Sequence, residues 1–140
     1  MAHYFELTHF DDFLAIAREQ GPGEHLLLVL ARRELPEDHT PEQARRFAAG
    51  EGGHLAPLAI VDRPAQALTD FALLASEARE VAGEWDAIFV AALPGEGDRA
   101  PRPELIFEAG EAMVAAIRGG RVGSYLVFDA DGAALQVMAA

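Results

Sequence analysis

Three short apolar runs set the tightest limit on what this chain can fold into. They are "HLLLVLARR" from His25, "LAPLAIVD" from Leu55 and "DAIFVAAL" from Asp86. Each is bounded by glycine, proline or charge. Each is too short for a stable helix and nearly continuous in its apolar character. Such runs predict strands buried on both faces. A strand covered on both faces needs helices above and below it, which points to an α/β arrangement.

The intervening segments supply those helices. "HFDDFLAIAREQ" has apolar residues at Phe10, Phe13, Leu14, Ile16 and Ala17, and acids in its first turn. Thr8 followed by Asp11 resembles a capping box. "GPG" at Gly21 to Gly23 stops this helix. Thr40 then Pro41 predict the start of a second helix, and Gly50 its end. "RPAQALTDFALLASEAREVAGEW" predicts the longest helix, with Leu68, Phe71, Leu74, Ala75 and Ala78 on one face. "ELIFEAGEAMVAAIR" predicts a fourth, ended by Gly119–Gly120. "GSYLVFD", a turn at "DADG" and "AALQVM" read as a closing hairpin, since Asp-Gly between apolar runs is a strong turn signal. The predicted order is α-β-α-β-α-β-α-β-β. It implies one α/β domain over residues 1–140, with a mixed, mostly parallel sheet of about five strands, flanking helices and a C-terminal β-hairpin.

Composition removes several chemistries. The chain has no lysine, cysteine or asparagine, and all 11 of its Lys+Arg residues are arginine. Without lysine there is no Walker A lysine and no pyridoxal-phosphate Schiff base. Without cysteine there is no thiol nucleophile, redox pair, zinc knuckle or iron–sulfur cluster. The net charge of −12 repels a phosphate backbone, so no nucleic-acid partner is expected. No apolar run approaches the ~20 residues a membrane span needs. The amino terminus, "MAHYFELTHFDDF", lacks a basic patch before an apolar stretch and does not read as a signal peptide. The expectation is a cytoplasmic chain with no membrane partner.

The local motifs read as turns and caps. "AGEGGH" follows a helix and precedes a strand, the reverse of a phosphate-binding glycine loop. The negative end of the helix dipole faces it. His3, His9, His25, His39 and His54 form no tight ligand pair, so no metal is expected. "DADG" resembles the start of a calcium loop, but the sixth and twelfth positions from Asp129 are Ala134 and Ala140. Ser76 and Ser124 lie outside any GxSxG elbow. No catalytic residue and no cofactor is predicted.

Two positive signals remain. In a parallel sheet, ligands bind beyond the carboxyl ends of the strands. Those ends carry Arg32 and Arg33, then Asp62 and Arg63, then Arg99, the candidate ligand-binding set. Phe47 is the only aromatic residue of the excursion from Glu34 to His54. It either anchors its helix to the sheet as a buried residue, with Phe47→Ala costing about 3–5 kcal/mol, or faces a partner as an interface residue. The function that follows is a non-catalytic module contacting a protein partner or forming a homo-oligomer. The alternative is small-molecule binding or catalysis by the strand-end charges.

"LLLVLARRELPEDHTPEQARRFAAGEGGHLAPLAIVD", "EWDAIFVAAL" and "MVAAIRGGRVGSYLVFDADGAALQ" together resemble a group of small bacterial proteins often labelled "ribonucleotide reductase subunit alpha". The label does not suit the chemistry. Nucleotide reduction runs through a thiyl radical and a reducing cysteine pair, and this chain has neither. "HLAPLAIVDRPAQALTDF" and "IRGGRVGSYLVFDADG" resemble the amino-terminal domain of SseB-like proteins, which implies a small mixed α/β protein-interaction domain.

Overall fold

Residues 7–135 are described by a computed structural model. The element order is α1 (Phe10–Glu19), β1 (His25–Glu34), α2 (Pro41–Ala48), β2 (His54–Pro64), a 3-10 turn (Ala65–Ala67), α3 (Phe71–Ala82), β3 (Ala87–Leu93), α4 (Pro103–Arg118), β4 (Leu126–Asp129) and β5 (Ala134–Leu135). The predicted order of helices and strands is therefore present. The last part of the predicted final strand, from Gln136, lies outside the described residues.

The sheet departs from expectation. Its five strands run in the order β2-β1-β3-β4-β5, and every neighbouring pair is antiparallel rather than mostly parallel. The reason lies in the connections. A parallel neighbour needs a crossover that returns the chain to the starting end of the sheet. α2 makes no such return: it buries no residue, and Glu34 pairs directly with His54. β1 and β2 thus form a wide hairpin whose connection carries a helix at its tip. α3 does cross over, but it delivers β3 to the far side of β1, so the two like-directed strands never touch.

Central strands are buried on both faces whatever their direction, whereas β2, expected from its apolar run to be covered in the same way, lies at the sheet edge and buries no residue fully. Leu26, Leu28 and Leu30 of β1 join Ile88, Val90 and Phe128 beneath α1 and α3. Phe10, Phe13, Phe71 and Trp85 fill that layer with tilted and edge-to-face aromatic pairs. Leu27, Val29 and Ala31 join Phe89 and Val127 on the opposite face, beneath α4 and Val122. The alternation along β1 thus feeds two cores at once.

Helix starts follow local chemistry. The α1 N-cap is His9 rather than Thr8. His9 Nδ1 accepts from the Asp11 N–H at 3.0 Å, and Asp12 closes the capping box. Its Nε2 lies 3.1 Å from the Asp131 carbonyl, tying α1 to the β4–β5 turn. Thr40 caps α2 reciprocally with Gln43, and Pro41 opens the helix as predicted. The segment expected as the longest helix is split. β2 continues to Pro64, a 3-10 turn follows, and Asp70 caps a 12-residue α3. The longest helix is α4, with 16 residues.

Candidate contact surface

α4 buries Gly110, Met113, Ala116 and Ile117 against the sheet. Phe107, Glu111, Val114, Ala115 and Arg118 recur at helical spacing on another stripe and look toward β2. α4 packs on that strand, and two recesses lie along the seam between them. One, of about 490 Å³, lies beside Phe107, Gly110 and Asp62. The other, of about 510 Å³, lies beside Pro57, Val114 and Arg118. Ile60 and Glu111 line both, so the recesses form one groove. Ile60 lies over Gly110, 3.5 Å from where a Cβ would stand, which is ordinary van der Waals contact.

Two large apolar side chains border the groove and face water. Phe107 is 68% exposed and Ile60 47%. Burying such side chains against a partner yields about 1.5–3 kcal/mol each. The other exposed large apolar residues are spread over α3 and over β4 and β5, with Leu105 farther along α4.

β2 is an edge strand, and its free edge is blunted. Pro57 lacks an N–H. Leu58 is left unpaired by a bulge between the Leu30–Ala59 and Ala31–Pro57 pairs. Asp62, Arg63 and Pro64 close the other end. Proline, bulges and charge are the devices that stop strand addition. A partner reaching this side therefore meets side chains rather than a continuous backbone edge.

At one end of the groove, His25 Nε2 lies 3.0 Å from Asp62 Oδ1. His25 is buried, and its Nδ1 has no partner among the described residues. An ionised carboxylate only accepts, so Nε2 is the donor of this hydrogen bond. The pair holds the Asp62 carboxylate at the mouth of the smaller recess. No cluster of three metal-ligating side chains occurs among the described residues.

The antiparallel sheet divides the predicted ligand-binding set. Asp62 pairs opposite Leu27 and Arg63 opposite Leu26, near the start of β1, whereas Arg32 and Arg33 lie at its end. The premise of converging carboxyl ends does not hold here. Arg32 donates through Nε and a terminal nitrogen to the Glu84 carbonyl at 3.1 and 3.0 Å. Arg33 donates to the Gly52 carbonyl at 3.3 and 3.0 Å and stacks on Phe47, 4.4 Å from the ring centre. Arg63 donates to the carbonyl of Asp62 at 2.7 Å. The Arg99 backbone carbonyl is in close contact with Gly23 and Gly95, near the Asp62 end. Of the five, only Asp62 borders the groove.

Phe47 is half-buried and belongs to neither core, so the expected deep anchor is corrected to a local one. Its ring fills the space that a Cβ on Gly53 would take. The glycine loop presents a carbonyl to the Arg33 guanidinium, in keeping with the negative end of a helix dipole.

Phe107 is the residue the sequence reading passed over. Spacing alone could not single it out: Phe107 precedes Gly110 by three residues, the same step that separates Gly110, Met113 and Ala116, and its 68% exposure is what sets it apart. No family model, curated protein or solved structure matches the chain.

Proposed function

We propose that this chain is a non-catalytic protein-contact module working through the groove between α4 and β2. The observation that carries the reading is the convergence of Phe107 and Ile60 on one groove beside a blunted edge strand. Solvent-facing apolar side chains gathered at one place mark contact surfaces. Aromatic residues are enriched at such surfaces. The function is of the class that the resemblance to SseB-like domains implies.

The test is quantitative cross-linking in the native cell, comparing the chain with a Phe107→Ser, Ile60→Ser double variant. Both side chains are exposed, so the double variant should keep its unfolding midpoint within about 0.5 kcal/mol per site. Its cross-links to protein, self or foreign, should be lost. An unchanged cross-link pattern in a folded double variant would reject the groove as the contact surface.

A further inference from the structure

We infer that the groove's partner is a second copy of this chain, with the two α4 helices packed antiparallel about a twofold axis between Val114 and Ala115. The inference rests on the contact surface proposed above. Its own support is the charge order along α4.

The acids Glu104 and Glu108 lie in the first half of the helix, Glu111 lies just past its middle, and Arg118 occupies its last turn. Arg121 follows just beyond the helix. Among the described residues, neither Glu111 nor Arg118 has an ion-pair partner within its own chain. They lie two turns apart on the groove stripe, about 10 Å along the axis. A twofold axis between Val114 and Ala115 is equidistant from both. Antiparallel packing therefore sets each Glu111 opposite Arg118 of the other copy, twice over. A parallel arrangement would set acid on acid. An isologous contact requires this kind of self-complementarity.

The remaining geometry agrees. Val114 and Ala115 present small side chains at the axis, and Phe107, farther from the axis than Arg118, falls beyond the end of the opposing helix. Opposed helix dipoles also favour the antiparallel pair. The net charge of −12 works against association at long range. At physiological ionic strength charges beyond about 8 Å are largely screened, while contacts between facing side chains persist.

Sedimentation equilibrium at physiological salt decides the matter, with wild type, Glu111→Arg, Arg118→Glu, and an equimolar mixture of the two variants. Wild type should be a dimer. Each variant alone sets like charges face to face and should dissociate about a hundredfold more readily. In the mixture, one chain supplies two cations and the other two anions at the facing positions, so a heterodimer should form. Both substitutions are at exposed sites, and recovery in the mixture shows that each chain is folded. If wild type dimerises but the mixture does not recover, this register is wrong. If wild type is a monomer while the in-cell cross-links still depend on Phe107, the partner is a different protein. In that case the inference falls and the contact surface stands.

Discussion

Phe47 shows how little a residue type says without its surroundings. Its ring covers the Arg33 guanidinium and fills the space over Gly53, but no helix or sheet layer closes over it. Phe47→Ala should therefore cost about 1 kcal/mol, in the range of an exposed cation–π contact, not the larger loss of a core residue. Phe89→Ala, at the centre of the α4-side core, should cost about 3–5 kcal/mol. Urea unfolding of the two variants checks the contrast, and equal losses would mean that Phe47 is a core residue. Gly95 is constrained differently. Its φ is not in the left-handed region, so space alone sets the requirement. A Cβ there would collide with the carbonyls of Arg99 and Gly23. Gly95→Ala should destabilise the fold by about 1–3 kcal/mol through overpacking. A change under 0.5 kcal/mol in the same urea assay would show that the 95–99 turn shifts freely.

α2 buries nothing, and its neighbours are a guanidinium and a glycine turn. It should open locally while the sheet stays intact. Thr40→Ala removes its reciprocal cap, worth about 1 kcal/mol. Amide exchange of residues 44–48 should then quicken about fivefold with no fall in the global unfolding midpoint. A midpoint that drops in step would make α2 part of the cooperative core. The same helix explains why the sheet was misread. The apolar runs at Leu26–Ala31 and Ala87–Val90 correctly marked strands covered on both faces. Burial, however, reports what lies above and below a strand and not its direction. Direction depends on whether the connecting segment crosses the sheet, and "TPEQARRFA" carries a sound cap but too few apolar residues to lie on a face. The hairpin at "DADG" was legible because its turn chemistry is local: Asp129 Oδ1 accepts from the N–H groups of Asp131 and Ala133 at 2.9 Å. The groove was not. It forms between α4 and a strand distant in sequence, and Phe107 carries the same three-residue spacing as the buried positions 110, 113 and 116, so nothing local marked it as exposed.

Charge governs what the whole chain can meet. The arginines are dispersed and locally engaged: Arg18 donates to the Thr69 carbonyl, Arg46 pairs with Glu42 at 2.9 Å, and Arg79 donates to the Ala130 carbonyl. With a net charge of −12 and no basic face gathered from them, duplex DNA and RNA should show no salt-sensitive binding at micromolar protein. A titration that weakens with added salt would contradict this. Ribonucleoside diphosphates should likewise go unreduced, because the chain holds no thiol. No helix among the described residues is long and apolar enough to cross a membrane. The α4–β2 groove is the contact surface proposed above, and the missing cysteines give direct access to it. A single thiol introduced by Ala115→Cys lies beside the inferred twofold axis. One introduced by Val81→Cys lies on α3, across the sheet, at a site that is 79% exposed. Under mild oxidation at micromolar concentration, Ala115→Cys should convert largely to a disulfide-linked dimer while Val81→Cys, the more exposed thiol, stays monomeric. Equal cross-linking of the two, or faster cross-linking through Val81→Cys, would contradict a paired α4 surface.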